Sequence, residues 1–360
     1  MQSLTQSKFR AWLSRVEFDL IVVRLLGLAI LVVAVMGVIG SIRNAYYTPE
    51  QWSDFVVFGI SQGGVYALIA LGYTLVYGIL FMINFAHGDI FMAGAFTGYF
   101  LAFKLDQYGI YNAHPIISLL LVTLLAVVTS VVVAVITERV AYRPLRKAPR
   151  LVPLITAIGA SFTIEYTFRG LYGSGVSVYP EVAIFAGKTN IFGLKILKVH
   201  LLVIAVSILM MVGLYVYVQY TKMGKAMRAV AEDKDVAALM GIDVDRVIVN
   251  TFVLGAALAG VAGVLYALVF KQVHFFMGFI PGIKAFTAAV LGGIGNIPGA
   301  MLGGFFLGIF EALGPGLILE GLGIPASYQL KDVIAFTLLV SVLIFRPTGI
   351  LGERLSEKKA

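Results

Sequence analysis

Asn84, His87 and Asp89 stand within six positions of one another in GILFMINFAHGDIFMAGAF, residues 78–96, an otherwise apolar stretch. An amide, an imidazole and a carboxylate at that spacing supply hydrogen-bond donors and acceptors, the equipment of a gate or of a passage for a polar solute. They do not read as a metal site. The four histidines, His87, His114, His200 and His274, are scattered without H-E-x-x-H spacing, and the chain has no cysteine. Thiol and disulfide chemistry are excluded by the same count. Glu165 and Arg169 form a second polar pair, four residues apart on one face of an apolar run. Each would cost about 2.5 to 3.5 kcal/mol alone at mid-membrane, so they read either as an ion or substrate relay or as a local ion pair. A proton-driven carrier usually shows more intramembrane carboxylates, which favours the local pair. Glu311 is a weaker case of the same kind.

Two short motifs point to enzymes and do not survive their context. Gly59-Ile60-Ser61-Gln62-Gly63 fits the G-x-S-x-G nucleophile pattern, which needs a strand-to-helix elbow and a positioned base. Here the serine falls at the outer end of a helical run, with only His114 of the following loop in reach. Gly187-Lys188-Thr189 ends like a phosphate-binding loop, but Val182 stands where the first glycine belongs. The chain is therefore read as no enzyme, with no cofactor and no nucleotide hydrolysis of its own.

The elements that would carry these residues follow from composition: 60% of the 360 residues are hydrophobic and 13% charged, which places the chain in a bilayer. A crossing needs about 20 apolar residues. Such runs lie near 25–42, 55–80, 84–103, 115–137, 151–172, 199–221, 247–270 and 331–345. The expected fold is an all-α polytopic membrane protein of about eight transmembrane helices plus one Gly/Pro-broken segment, 285–313. Gly292, Gly293, Gly295, Pro298 and Gly299 interrupt that segment, and two half-length pieces entering and leaving on one side would follow. Backbone leaving a helix at membrane depth is tolerated only against protein or a water-filled cavity, so the break is a pathway candidate. Gly303, Gly304 and Gly308 read instead as close helix packing.

The formal charge of +8 comes from basic clusters rather than from a nucleic-acid surface. These are Lys8, Arg10, Arg15 and Arg24; Arg139, Arg143, Arg146, Lys147 and Arg150; Lys222, Lys225, Arg228, Lys234 and Arg246; and Arg346, Arg354, Lys358 and Lys359. With the broken segment re-entrant, all four fall on the cytoplasmic side, both termini included, as the positive-inside rule asks. The first apolar run is too long for a signal-peptide core and reads as a retained anchor.

Ile90 to Phe103 is 14 residues, too short to cross, so the span must take in much of INFAHGD. Asn84 then caps the helix start, and Asp89 sits in its first turns, where exposed N–H groups favour negative charge. The group reads equally as a polar helix entrance or as a gate. Paired interruptions in two halves of a chain often flag a translocation site, and an internal inverted repeat is one form such a pair takes. Gln62, Asn84, His87, Asp89, Gly292, Gly293, Gly295 and Asn296 are the candidates for path or gate.

In the loop 222–246, Glu232 and Asp233 precede the apolar run Val236 to Met240, and Gly241 supplies a stop. A short amphipathic helix with a mixed-charge rim must bury its apolar face, on a partner subunit rather than on lipid. Four long segments, GGVYALIALGYTLVYGILFMINFAHGDIFMAGAF (63–96), ERVAYRPLRKAPRLVPLITAIG (138–159), AMRAVAEDKDVAALMGIDVDRVI (226–248) and GIKAFTAAVLGGIGNIPGAMLGG (282–304), resemble the LivH-type permeases of bacterial branched-chain amino acid ABC importers.

The resemblance covers about residues 55–352, leaving 1–54 as an N-terminal extension with an extra anchor and 353–360 as a short basic tail. It implies an inner-membrane permease subunit that passes leucine, isoleucine or valine inward. Its implied partners are a second, LivM-type permease, two cytoplasmic ATPases and a periplasmic binding protein, with membrane lipid around the bundle and no nucleic acid. It also implies that Ala231, Glu232, Asp233, Ala237, Gly241 and Ile242 belong to the ATPase-coupling element. Urea or short-amide permeases of the same class, a stand-alone ion-coupled carrier or channel, and a membrane hydrolase on Ser61 are the competing readings.

Overall fold

The computed structural model describes residues 18–352 except 147, 150, 192, 193, 326 and 347. The predicted tail 353–360 and the basic residues Lys8, Arg10, Arg15, Lys147, Arg150, Arg354, Lys358 and Lys359 lie outside the described residues. Eight described helices are long and apolar enough to cross a membrane, within 24–44, 49–80, 115–145, 151–172, 198–220, 244–270, 297–319 and 327–345. The all-α polytopic expectation holds, with one exchange of members. The predicted span 84–103 is a 21-residue helix outside that set, because His87, Asp89, Lys104 and Asp106 dilute its apolar character. The segment 297–319 takes its place.

In chain order the helices are α1 (Phe18–Asn44), α2 (Pro49–Leu80), α3 (His87–Gln107), the short α4 (Ile110–Ala113), α5 (Pro115–Thr137) and α6 (Leu151–Tyr172). They continue as α7 (Lys198–Tyr220), α8 (Lys222–Glu232), α9 (Lys234–Leu239), α10 (Val244–Phe270), α11 (Phe279–Gly292), α12 (Ile297–Gly314) and α13 (Lys331–Phe345). Among the described residues, strand content is two small antiparallel ribbons: β1 (Ser177–Val178) with β4 (Gln272–Val273), and β2 (Lys188–Ile191) with β3 (Leu194–Leu197).

α2 is the axis of the molecule. It begins with a Thr48 capping box and ends at Phe81 in the left-handed conformation. Its 32 residues give it a length of about 48 Å, enough to cross a bilayer and protrude. From Gly59 onward it is buried almost continuously, because glycines let neighbouring backbones approach. A Cβ at Gly308 of α12 would lie 2.3 Å from the Gly63 nitrogen, and one at Gly304 2.5 Å from the Ala67 Cα. With Gly303 packed in the same way on α11, where a Cβ would lie 2.1 Å from the Ala288 oxygen, the packing role expected for Gly303, Gly304 and Gly308 is what these contacts show. Gly59 and Gly63 of the nucleophile pattern are packing residues against α12, and Ser61 between them, at 0% exposure, is buried against α7. His200, rather than the expected His114, reaches that serine, with Nδ1 3.2 Å from its Oγ.

The two ends of the bundle differ in chemistry. One gathers the arm α8–α9, the 138–146 turn, the α11–α12 turn and the C-terminal strap. A Cβ at Gly27 of α1 would touch the Phe345 ring, Lys234 lies 5.9 Å from the Phe81 ring centroid, and Arg146 bridges Glu138 and Asp245. Described members of all four basic clusters thus share one end. The opposite end carries both ribbons, Tyr47, Trp52, Phe55 and Tyr328 in ring contacts, and the balanced pairs Lys188–Asp54 (3.1 Å) and Lys271–Glu181 (2.8 Å). Gly187-Lys188-Thr189 belongs to this ribbon end. There burial pushes the Tyr111 hydroxyl up to about 12.

Candidate functional site

α3 starts inside the bundle. After α2 ends at Leu80 the chain turns back through residues 82–86, and the His87 ring settles over Gly72, where a Cβ would lie 2.0 Å from Nε2. Gly72 is eight residues before the end of α2, about 12 Å inward. The second half of the chain mirrors this from the other end. α10 runs antiparallel to α2, ends at Phe270 and pairs β4 with β1 before the chain descends through His274 to Gly278 and begins α11. The two half-depth starts meet. A Cβ at Gly278 would sit 2.3 Å from the Gly88 carbonyl oxygen, and one at Gly88 would sit 2.6 Å from the Gly278 oxygen.

Irregular backbone at that depth must be satisfied by protein. His87 donates its N–H to the Asn84 carbonyl at 3.1 Å, Asp89 to Ala86 at 3.1 Å, and Met277 to His274 at 3.1 Å. The Asn84 side chain does not cap α3 as expected: its Oδ1 accepts from the Tyr142 hydroxyl at 2.6 Å, tying the re-entrant segment to the turn after α5. Asp89 does sit in the first turn of α3, 3% exposed, accepting a hydrogen bond from Ser161 of α6.

Beside this junction lies a cavity of about 270 Å³ lined by Gly88, Asp89, Ser161, Glu165, Gly278 and Gly282 among others. The expected Glu165–Arg169 ion pair is absent among the described residues. Glu165 is 2% exposed and turns into the cavity, whereas Arg169 lies outward over the Tyr166 and Phe275 rings at 5.6 and 5.3 Å. The helix face that makes i,i+4 neighbours of the two also directs one inward and one outward, which sequence spacing could not reveal.

Gly292, Gly293, Gly295 and Asn296 are not part of that junction. They form a tight turn at the basic end between α11 and α12, with Gly293 and Gly295 at φ +106° and +97°. Residues 349–352 strap it: Ile350 and Leu351 donate to the Leu291 and Gly292 carbonyls at 2.8 and 2.9 Å. Asn296 caps α12, accepting from the Gly299 N–H at 2.9 Å, and donates to the Leu351 carbonyl at 3.0 Å. The break expected to leave orphan backbone at membrane depth is a hydrogen-bonded turn at the basic end, with Gly292 and Gly293 buried and Gly295 exposed. Its two flanks are also unequal: α11 is short, while the helix after the turn is full length.

Gln62 lies elsewhere again, in the half of α2 nearer the ribbon end. Its Nε2 donates to the Tyr66 hydroxyl and, at 3.0 Å, to Glu311 of α12. Glu311 also holds Lys284 of α11 at 2.7 Å, and that lysine reaches Asp332 at 2.6 Å. A lysine and a glutamate each inside an apolar helix are a pair that charge matching alone would have suggested.

The arm projects from the basic end. Thr221 caps α8 by accepting from the Gly224 N–H, Asp233 caps α9 by accepting from Asp235 and Val236, and Gly241 at φ +82° stops it. Instead of one amphipathic helix the segment is two, broken at Asp233. Met227, Val230 and Ala237 face the bundle, with Ala231 and Ile242 packed beside them, while Val236, Leu239 and Met240 are 54%, 87% and 78% exposed. Burial, with Arg146 alongside, pulls the Lys234 ammonium below its ordinary pKa, against Asp235.

Residues 55–343 match the family described as "Branched-chain amino acid transport system / permease component". The chain is 44% identical over 306 residues to a high-affinity branched-chain amino acid transport system permease protein, BraD, of Pseudomonas aeruginosa, covering 84% of this chain and 96% of that one. It is 42% identical over 303 residues to LivH of Escherichia coli K12, covering 83% and 95%. A probable branched-chain amino acid transport permease protein, LivM, of Methanocaldococcus jannaschii is 30% identical over 150 residues, 37% of this chain and 41% of that one.

Proposed function

The chain belongs to the branched-chain amino acid transport permease family, and on that premise we propose that it is the membrane-spanning subunit of an importer carrying leucine, isoleucine or valine inward across the bacterial inner membrane. A separate ATPase supplies the energy. The basic end faces the cytoplasm, in keeping with the positive-inside rule, and the ribbon end faces the periplasm, where a binding protein delivers the solute. The similarity to a LivM protein supports a second permease of related architecture as the partner within the membrane.

One observation carries the reading from family to mechanism: the arm at the basic end ends in exposed Val236, Leu239 and Met240. Apolar groups of that size on an element outside the bundle leave water by docking on another protein. Ala231, Glu232, Asp233, Ala237, Gly241 and Ile242 hold the arm in shape, so a push on its tip is transmitted to α7 and α10. The route for solute runs past the junction, where Asn84, His87, Asp89 and Glu165 offer polar contacts between two half-depth helix starts.

The test is uptake of labelled leucine by cells making this chain with its neighbouring subunits, urea being the competitor. Leu239→Asp should leave the permease inserted, abolish co-purification of the ATPase and reduce uptake to background. Co-purification and uptake at wild-type levels in that variant would refute the docking role, and competition by urea would refute the amino acid assignment.

A further inference from the structure

A second cavity, of about 420 Å³, lies at the ribbon end between the starts of α2, α7 and α13 and the far part of α12. Its size falls in the range of about 300 to 1,000 Å³ usual for small-molecule sites. One wall is apolar, formed by Phe55, Val57 and Phe58; the facing side carries Gln62, Glu311 and Lys331, while the other two ionisable lining groups are already engaged, Asp54 with Lys188 and His200 with Ser61.

The polar side is incompletely paired. Gln62 is 2% exposed and its Nε2 is bonded, yet its Oε1 is buried with no hydrogen-bond partner among the described residues. A buried amide oxygen left without a donor costs about 1 to 3 kcal/mol, so this one is poised for an incoming N–H. Glu311 has Lys284 and the Gln62 amide on Oε1 and, among the described residues, only the Tyr66 hydroxyl, at 3.0 Å, on Oε2, which leaves that oxygen able to accept again. Lys331 is the loosely held cation: it stands 3.6 Å from Glu311, against 2.7 Å for Lys284, and is 38% exposed.

We propose that this cavity is an outer binding station for a zwitterionic α-amino acid with an apolar side chain, its carboxylate on Lys331, its ammonium on Gln62 Oε1 and Glu311, and its side chain against Phe55 and Phe58. The sorting of groups is what selects the class. A monocarboxylate would leave the Gln62 oxygen unfilled, urea would leave Lys331 without an anion, and an acidic amino acid would set a second negative charge on the aromatic wall. The station deepens the permease reading and takes its place in the route from it, lying at the end where solute would arrive.

Because the natural chain has no cysteine, a Val57→Cys variant in native membranes carries one labelling site inside the cavity. Leucine should slow its reaction with a water-soluble maleimide several-fold, while urea and acetate leave the rate unchanged. Adding Lys331→Gln should leave the unprotected rate unchanged and raise the leucine concentration needed for half protection roughly tenfold or more, the loss expected for a charge-assisted contact. No protection by leucine, equal protection by urea, or full protection in the Lys331→Gln background each overturns the station. If the protection holds while leucine uptake is absent, the station stands and the permease reading falls; if uptake is normal without protection, the reverse is true.

Discussion

At Gly88 and Gly278 two backbones touch in the interior of the bundle with no side chain between them, whereas Gly292 to Asn296 close a turn at its basic end under the strap 349–352. Both are glycine-rich interruptions of apolar helices, and both bring backbones within a Cβ of each other. They differ in what surrounds them. The junction has Asn84, His87, Asp89, Ser161 and Glu165 about it and a cavity alongside; the turn has its Leu291 and Gly292 carbonyls satisfied by the strap and the Gly299 N–H by the Asn296 cap. Glycine marks close approach in either setting, and the company of buried polar side chains is what sets the interruption proposed as part of the route apart from the turn.

The contrast breaks most visibly at Gly278. Gly278→Val places a branched side chain 2.3 Å from the Gly88 oxygen, where neither backbone can yield. The expected result is destabilisation by about 3 kcal/mol, the upper end of overpacking costs, and loss of uptake. Thermal unfolding in detergent and leucine uptake measure the two; a variant that unfolds as the wild type does would mean the two helix starts part freely.

Asp89→Asn sharpens the contrast, because it keeps an acceptor for Ser161 and the size of the side chain. Unfolding should shift by less than about 1 kcal/mol while uptake falls roughly tenfold, equivalent to about 1.4 kcal/mol in the barrier. Wild-type uptake would remove the junction carboxylate from the route. At the turn the pattern reverses. Gly295 has φ +97° with nothing within 4 Å of a Cβ, so Gly295→Ala meets strain and no clash. It should cost about 1 to 2 kcal/mol in unfolding and leave uptake per inserted permease unchanged.

How far the sequence carries this far depends on range. The apolar runs, the basic clusters and the arm with its Asp233 cap and Gly241 stop are local signals, and apart from the run 84–103 the helices, the described basic residues and the cap and stop appear where periodicity, charge and capping place them. The depth of an interruption is not local. That residues 82–86 turn back into the bundle depends on His87 finding Gly72, and that α11 starts inside depends on Gly278 finding Gly88. HFFMG, residues 274–278, offers one glycine and no proline, so nothing in it announces a break. The quartet Lys284, Glu311, Lys331 and Asp332 joins α11, α12 and α13, and Gln62 meets it from 249 residues away; charge matching makes the Lys284–Glu311 pair readable in advance, but not the place of Gln62, Lys331 and Asp332 beside it.

Asn296→Ala is the smallest of these perturbations and the most exacting test of the contrast. The substitution removes the cap on the Gly299 N–H and the bond to the Leu351 carbonyl together. Cap loss costs about 1 kcal/mol, and the strap bond, half in water, adds little. Because the neighbouring Ile350 and Leu351 N–H groups still hold the strap on the Leu291 and Gly292 carbonyls, the turn should keep its shape. Uptake per inserted permease should then match the wild type, and the half-saturating leucine concentration should not move. A tenfold fall in uptake with only this small loss of stability would put Asn296 in the same class as Asp89, and the distinction between a polar junction and a merely structural turn would no longer hold.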